Sequence, residues 1–346
     1  MLELLKEHEV DALLVSKPEN IRYLSGFTGG RDARLLVLEN EKYIFTDSRY
    51  SEQVARECNG WKLIEEKPPG FEKLIEMSGR CKKIGTESHD ITYQFYLEME
   101  KSLGAEIIPL PNIIESLRII KDESELKLLR ETARISDEVF KETCNSIKPG
   151  LAERQIAIHI VNLLKEKGCE KESFDTIVVS GENASLPHGK PGEKELNTGD
   201  MVTMDFGGFF KGYAGDMTRT IVIGKAPERL KYNYLAVLEA QKLGVSLVKA
   251  GESCRDIDQK IRVCLSKYNL ENYFIHSTGH GVGLEIHEQP SVSSRSEVEL
   301  QENMVITIEP GIYIPGWGGI RIEDTVIVKE KGCEVITHSD KNLLII

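Results

Sequence analysis

The sequence has no regular cysteine framework. It contains seven cysteines, an odd number, and no two of them form a CxxC pair. This pattern excludes a small disulfide scaffold and argues against a zinc site built from thiolates. Scattered cysteines are typical of reduced thiols in a cytosolic protein, so we expect a cytoplasmic location.

The chain also lacks excess positive charge and long apolar runs. Lys and Arg total 44 against 56 Asp and Glu, which gives a net charge of −12. This sign disfavours binding to nucleic acid or to an anionic membrane surface. There is no run of about 18 apolar residues that could span a bilayer. Charged residues interrupt the N-terminal apolar stretch MLELLKEHEVDALLV, so we expect no signal peptide.

What is present is typical of a globular protein with a substantial core. Hydrophobic residues make up 40% of the chain and charged residues 29%, and a length of 346 residues suggests two domains. Short apolar strand patterns alternate with helical patterns in the first third, which predicts a small α/β domain. The strand patterns lie at 11–16, 33–40, 42–47 and 82–87, and the helical patterns at 48–58 and 92–104. Two prolines and a change of pattern within 109–125 predict the boundary, which gives domains 1–118 and 119–346.

The second region shows a faint internal repeat. Asp122 is predicted to cap a helix that ends near 148–150, and a second helix is predicted from about 152 to 167. The stretch 146–168 resembles the stretch 246–269. After each comes a histidine loop, then an apolar strand ending in an acid and a glycine, then a second strand carrying an acid. Two such α/β units related by a pseudo-twofold axis would bring their acids together.

Four acids and one histidine stand out in these strands and loops. They are Asp205, Asp216, His280, Glu309 and Glu323, and each carboxylate lies in strand-like sequence. Isolated buried carboxylates are very costly, so converging ones need cations. Two divalent ions would balance four carboxylates, and oxygen ligands with one imidazole suit Mn²⁺, Co²⁺ or Zn²⁺. The set predicts a two-metal hydrolase.

Six motifs in order carry a family resemblance: PHG, MDFGG, GDMTRT, TGHGVGLEIHE, IEPGIY and GIRIED. Together they resemble the pita-bread metallopeptidases, and most closely the Xaa-Pro group, aminopeptidase P and prolidase. The first third of the chain is similar to the creatinase/prolidase N-terminal domain. The resemblance implies a fold of the α/β (α+β) class, with that domain followed by a pita-bread catalytic domain, and a homodimer.

The resemblance also implies roles for the acids. Asp205 would bind one metal ion, and Asp216 and Glu323 would bridge two. His280 and Glu309 would complete the second metal, with Mn²⁺ the favoured ion. Glu309 would also carry a proton from water to the leaving amine.

Further residues would contact the substrate. By the same resemblance, His188 and His287 would hydrogen-bond the peptide and the developing oxyanion. Phe174 and Ile286 would hold the proline ring, and Arg321 would order a bridging carboxylate or the substrate. Taken singly, the histidines also fit surface polar residues, and the two apolar side chains also fit plain core.

One departure bears on substrate length. Many dipeptide-cleaving relatives place an arginine directly after the HExP motif, where this chain has Ser291, and Arg295 follows four residues later. We therefore predict an aminopeptidase P-like enzyme that removes the first residue of peptides with proline at the second position. The alternative is an Xaa-Pro dipeptidase (prolidase). A broader aminopeptidase is less favoured, because methionine aminopeptidase shares the fold but usually lacks the N-terminal domain. A non-catalytic binding protein of the same fold is less favoured, because relatives without activity lack part of the ligand set.

Overall fold

The computed structural model describes residues 2–66 and 72–346. The chain divides into two compact units, Met1–Arg118 and Ile119–Ile346. The family resemblance predicts a mixed α/β protein, and the fold class is confirmed, since both units combine helices with sheets.

The first unit is built on a six-stranded sheet with the order β4-β3-β2-β1-β5-β6. Its strands are β1 Ala12–Val15, β2 Ala33–Leu38, β3 Lys42–Thr46, β4 Lys62–Glu65, β5 Lys83–Glu87 and β6 Glu106–Leu110. The pairs β1–β2 and β2–β3 are antiparallel, whereas β3–β4, β1–β5 and β5–β6 are parallel. The sequence predicted β1, β2, β3 and β5.

Helices cover this sheet, and its strands are apolar on both faces. Leu13 and Val15 of β1 pack into one buried cluster, whereas Ala12 and Leu14 pack into another. Alternate residues of a strand point to opposite faces, so a continuous apolar run supplies two cores. The helices are α1 Leu2–Glu7, α2 Pro18–Ser25, α3 Ser51–Glu57, α4 Glu72–Ser78, α5 Tyr93–Ser102 and α6 Glu115–Arg118.

The second unit contains two helix pairs. They are α7 Glu123–Ser146 with α8 Glu153–Glu166, and α9 Glu228–Leu247 with α10 Cys254–Ser266. The predicted cap is confirmed: the Asp122 carboxylate accepts from the backbone amides of Ser124 and Glu125, and Glu125 completes a capping box. Among the described helices, none is both long and apolar enough to cross a lipid bilayer.

Short sheets carry the acids of the second unit. The strands are β7 Lys171–Glu172, β8 Ile177–Ser180, β9 Met201–Phe206, β10 Gly208–Phe210, β11 Tyr213–Ala214, β12 Met217–Val222, β13 Gly279–Gly281, β14 Glu288–Val292, β15 Val305–Ile308, β16 Gly311–Ile314, β17 Gly318–Arg321, β18 Asp324–Lys329 and β19 Gly332–Val335. After the first helix pair, β9 and β12 pair antiparallel, and after the second, β15 and β18 do the same. The order of elements in the two halves therefore matches the predicted repeat.

Candidate active site and metal centre

A cavity of about 590 Å³ in the second unit gathers every site residue predicted from the sequence. The ten are Phe174, His188, Asp205, Asp216, His280, Ile286, His287, Glu309, Arg321 and Glu323. They come from positions up to 149 residues apart in the chain (323 − 174), so the fold and not the local sequence assembles them.

Strands and strand ends hold the four carboxylates. Asp205 lies in β9 and pairs across to Thr218 of β12, which begins one residue after Asp216. Glu309 follows the last residue of β15, and Glu323 precedes the first residue of β18. Since β15 and β18 are antiparallel neighbours and Ile308 pairs with Asp324, Glu309 and Glu323 lie at the same end of this strand pair.

His280 faces these acids with an unprotonated nitrogen. Its Nδ1 lies 3.0 Å from the carbonyl oxygen of Gly281, and a carbonyl can only accept, so Nδ1 carries the proton. Burial lowers the pKa of His280 to about 4, so the ring is neutral at neutral pH. Its Nε2 lone pair then lies 3.4 Å from Asp216 Oδ2 and 3.5 Å from Glu309 Oε1.

The carboxylates repel one another inside the protein. Burial, reinforced by the charge of Glu323, raises the pKa values of Asp216 and Glu309 well above their usual range. Burial and the nearby Asp205 raise the pKa of Glu323 to about 8. Without a cation, the site therefore favours protons on its acids, and a dication would remove that repulsion.

The arrangement fits a divalent metal. One ligand atom each from Asp216, His280 and Glu323 lies within 4.8 Å of the others. No described group donates a hydrogen bond to the buried Asp205 Oδ1. The imidazole lone pair and the carboxylate oxygens are all hydrogen-bond acceptors, so they repel one another unless a proton or a cation lies between them. Carboxylate oxygens with one imidazole suit Mn²⁺, Co²⁺ or Zn²⁺.

Arg321 orders the acids through two contacts. Its Nη2 forms a buried ion pair with Asp205 Oδ2, and its Nε donates to Thr218 Oγ1 at 3.1 Å. Thr218 Oγ1 in turn donates to Glu323 Oε2 at 2.7 Å. The sequence suggested that Arg321 orders a bridging carboxylate or the substrate. In the structure it contacts Asp205 directly and reaches Glu323 through Thr218.

Tyr313 and His276 extend this network and were missed in the sequence. Arg321 Nη1 donates to Tyr313 Oη at 2.6 Å, and Tyr313 Oη lies 2.9 Å from His276 Nε2. His276 Nδ1 donates to the Ser277 carbonyl at 2.8 Å, so Nε2 accepts from the tyrosine. His276 lies four residues before His280, which was the available signal. Tyr213, three residues before Asp216, donates to Glu125 Oε1 at 3.0 Å and is not part of this network.

The rest of the cavity wall combines imidazoles with apolar groups. His188 and His287 are exposed to the cavity, and the His287 ring lies 4.4 Å from the His280 ring, edge to face. Phe174 and Ile286 are partly buried and line the same space, so they are not plain core.

The cations around the cavity differ from the sequence expectation. Among the described lining residues are Lys190 and Arg321, whereas Ser291 and Arg295 are not part of the wall. Arg321 is engaged with Asp205. Lys190 is 87% exposed, with its Nζ 3.9 Å from Asp175 Oδ2.

Comparison with known proteins agrees with this geometry. Residues 127–330 match the model of metallopeptidase family M24, and residues 1–120 match the creatinase/prolidase N-terminal domain. The chain therefore belongs to metallopeptidase family M24, and the family predicted from the six motifs is confirmed. Membership makes it a hydrolase of the metallo-exopeptidase class that uses a divalent metal.

The similar proteins include Xaa-Pro dipeptidases and an X-Pro aminopeptidase. The Xaa-Pro dipeptidase of Pyrococcus furiosus is 37% identical over 347 residues, which cover 99% of this chain and 98% of the relative. The structure of an Xaa-Pro dipeptidase from Bacillus anthracis superposes with a TM-score of 0.97 at 39% identity, covering 100% of this chain and 99% of that one. The structure of an X-Pro aminopeptidase from Thermotoga maritima gives a TM-score of 0.92 at 33% identity, covering 99% and 100%. The predicted aminopeptidase P-like activity is thus not confirmed.

Proposed function

We propose that this protein is an Xaa-Pro dipeptidase that hydrolyses a dipeptide into a free amino acid and proline. The observation that carries the proposal is the neutral His280 facing Asp216 and Glu309 in the cavity of a chain similar along its whole length to Xaa-Pro dipeptidases. The alternative predicted from the sequence thereby becomes the leading function.

We further propose that the site holds two divalent ions, with Mn²⁺ preferred. Asp205, Asp216, His280, Glu309 and Glu323 would hold them, since four carboxylates carry four negative charges. When bound, such ions would polarise the scissile carbonyl and acidify the attacking water.

The chain's own residues carry the proton and the substrate. Water adds its oxygen to the scissile carbonyl carbon, and Glu309 accepts the proton that the water releases. The carbon–nitrogen bond then breaks, and the same proton passes from Glu309 to the proline nitrogen. His188 and His287 donate hydrogen bonds to the carbonyl oxygen as negative charge develops on it.

The apolar part of the wall suits the proline ring. Phe174 and Ile286 line the cavity beside the acids, and contact with them removes the apolar ring from water. Arg321 and Thr218 hold Asp205 and Glu323 in place during the reaction.

An X-Pro aminopeptidase is the second candidate, because of Ser291. A dipeptide brings a free carboxylate that needs a cationic partner, whereas a longer peptide presents an amide.

Arg295 is exposed and lies outside the cavity wall. Lys190, which lines the wall, is the cation that would hold the dipeptide carboxylate.

A substrate panel tests the proposal. Metal-depleted protein would be assayed with Mn²⁺, Co²⁺ or Zn²⁺ against Ala-Pro, Ala-Pro-Ala, Met-Ala and Leu-Ala-Ala. We expect the highest kcat/KM for Ala-Pro. A clear preference for Ala-Pro-Ala would make the protein an aminopeptidase, and cleavage of Leu-Ala-Ala alone would remove proline from the specificity.

We also propose a cytoplasmic homodimer. All seven cysteines are free thiols, which supports a reducing compartment. The dimer follows from the family resemblance alone, and light scattering coupled to size-exclusion chromatography would measure it.

A further inference from the structure

Each half of the second unit contains a fully buried carboxylate on its second helix that does not line the cavity. Glu153 is the first residue of α8, and Asp258 lies in α10; both are 0% exposed. We propose that Glu153 and Asp258 are positioning residues that hold the two histidine segments of the site, 180–192 with His188 and 274–280 with His280. The effect on turnover rests on the proposed function, whereas the effect on the segments does not.

Glu153 holds the first histidine segment at both ends. Its Oε1 accepts from the backbone amide of Ser180 at 2.7 Å and from the Ser180 hydroxyl at 2.8 Å. Its Oε2 accepts from the backbone amide of Gly192 at 3.2 Å. Asn183 Nδ2 lies 3.2 Å from Oε1 and 3.3 Å from Oε2. His188 lies between these anchors, so one carboxylate closes the loop that presents the imidazole.

The far side of this segment contacts the acid network. Arg321 Nη1 donates to the carbonyl oxygen of Pro187 at 3.2 Å, and Pro187 immediately precedes His188. Lys194 Nζ donates to the Ser180 hydroxyl at 2.7 Å, which supports the Glu153 end. The His188 loop is therefore fixed between Glu153 on one side and Arg321 on the other.

Asp258 holds the second histidine segment directly and through Arg262. Its Oδ1 accepts from Thr278 Oγ1 at 2.9 Å, and its Oδ2 accepts from Arg262 Nε at 2.8 Å. Arg262 then donates to the carbonyl oxygens of Phe274 at 2.8 Å and His276 at 2.7 Å. His280 lies two residues after Thr278, so this anchor fixes the approach to the histidine that faces the acids.

The chemistry of a carboxylate explains why an acid stands at both positions. A buried carboxylate is stable only when its oxygens accept hydrogen bonds. Within the described part of the chain, the donors to the Glu153 carboxylate belong to the first histidine segment, and those to Asp258 are Thr278 and Arg262. An amide of the same shape has one acceptor oxygen, and its NH₂ group would face an N–H or O–H donor. Glu153→Gln must therefore lose one end of its segment.

The Glu153→Gln variant tests the first half, with Ile156→Val as its control. Ile156 is a buried residue of the same helix, so the control loosens packing without touching the carboxylate. We expect faster hydrogen exchange in residues 181–192 of Glu153→Gln only. We also expect kcat/KM for Ala-Pro to fall about 10- to 100-fold, as for a displaced catalytic group. Mn²⁺ affinity should stay within about twofold, because His188 is outside the ligand set.

The Asp258→Asn variant tests the second half, with Ile261→Val in α10 as its control. Because this segment leads to His280, calorimetric titration should show Mn²⁺ binding weakened by about tenfold or more. The control should bind Mn²⁺ with the affinity of the native protein, even where its melting temperature falls as much as that of Asp258→Asn.

The proposal would be overturned if the hydrogen-exchange rates of both histidine segments stayed at the native values in the two variants. It would also be overturned if Asp258→Asn bound Mn²⁺ as tightly as the native protein, or if the two valine controls lost as much activity as the variants. An inactive native protein whose Glu153→Gln variant still exchanges faster at 181–192 would refute the proposed dipeptidase and leave the positioning roles intact.

Discussion

At the scale of single residues, Glu309 combines two duties that a single substitution can separate. Its Oε1 lies 3.5 Å from His280 Nε2 and accepts from Thr307 Oγ1 at 3.4 Å. Glutamine preserves shape and one acceptor oxygen but cannot take a proton. We therefore expect Glu309→Gln to lower kcat by about 10²–10⁴-fold, the contribution of a positioned acid–base group.

Metal analysis must accompany that assay, since Glu309 is also a proposed ligand. Asp216→Asn, a ligand substitution without the proton-transfer duty, is the matched comparison. A Glu309→Gln enzyme that retains metal and native turnover would show that another group moves the proton.

Lys190 is the residue on which substrate length depends. Two cations, Lys190 and Arg321, are among the described residues that line the cavity, and Arg321 is paired with the buried Asp205. The Nζ of Lys190 lies 3.9 Å from the exposed Asp175. We expect Lys190→Met to lower kcat/KM for Ala-Pro by about tenfold, which corresponds to about 1.4 kcal/mol. Ala-Pro-Ala, which presents an amide there, should be cleaved as before. Equal losses on both peptides would show that Lys190 does not recognise the carboxylate.

His276 gives a pH dependence whose sign follows from its environment. Burial, with Arg321 nearby, lowers the pKa of His276 to about 3, below the value of about 6.5 in an unfolded chain. As pH falls through this interval, the unfolded chain takes up a proton that the folded chain does not. The folded state therefore loses stability from about pH 6.5 down to about pH 3.

The matched variant is His276→Gln, unfolded by urea in metal-free buffer between pH 7 and pH 4. We expect its free energy of unfolding to fall less steeply than that of the native protein, by at most about 1.4 kcal/mol per pH unit. Parallel profiles would mean that His276 titrates normally in the folded state.

Which residues could be predicted at this scale depended on motif and charge. Nine of the ten site residues stand in the six motifs, whereas Phe174 lies outside them, and the structure brings all ten to one cavity. Glu153 and Asp258 are single acids within ordinary helical patterns. Their importance comes from contacts with distant residues, such as Gly192, 39 residues after Glu153, and Thr278, 20 residues after Asp258, and those contacts have no local sequence signal.

At the scale of elements, apolar patterns predicted the inner strands of the first sheet but not its two edge strands. The strands β1, β2 and β3 have long apolar runs and were predicted, whereas β4 and β6 were missed. The residues of β4 are half-buried or exposed, and β6 contains Pro109. Edge strands bury only part of their surface, so they need not show the apolar pattern of a central strand. In the sheet order β4 and β6 are the two edges.

Because of the pairing of β13 with β14, a single substitution at position 291 should change the enzyme's preference for substrate length. His280 of β13 pairs directly with Ser291 of β14, and side chains of such a pair lie on the same face. An arginine at 291 would therefore lie beside His280 and could meet the free carboxylate with two parallel hydrogen bonds. We expect Ser291→Arg to raise the ratio of kcat/KM for Ala-Pro over Ala-Pro-Ala by about tenfold.

A lysine at the same position is the control for charge alone, because it cannot form the bidentate contact. A ratio unchanged in Ser291→Arg would place the dipeptide carboxylate elsewhere in the cavity. Combined with Lys190→Met, the arginine should restore dipeptide cleavage if both cations serve the same group.

At the scale of the whole molecule, the metal should stabilise one compact unit through the site it contains. All five proposed ligands lie in Ile119–Ile346. A ligand that binds only the folded state adds about 2.7 kcal/mol at 100 times its dissociation constant. The two tryptophans divide between the units: Trp61 belongs to the first and Trp317 to the second. Each therefore reports on one unit when the other is replaced.

We expect Mn²⁺ to raise the melting temperature seen by Trp317 fluorescence in the Trp61→Phe variant. Trp317 packs partly buried against the core that contains Ile306 and Ile308, so it reports on the sheet that carries Glu309. In Trp317→Phe, the transition seen by Trp61 will move with metal only if the two units unfold as one. The same Mn²⁺ titration in Trp61→Phe/Asp216→Ala should give no shift, because a proposed bridging ligand is gone. If Mn²⁺ leaves the melting temperature seen by Trp317 unchanged in Trp61→Phe, where all five proposed ligands are present, this unit has no metal site, whatever the assay with peptides shows.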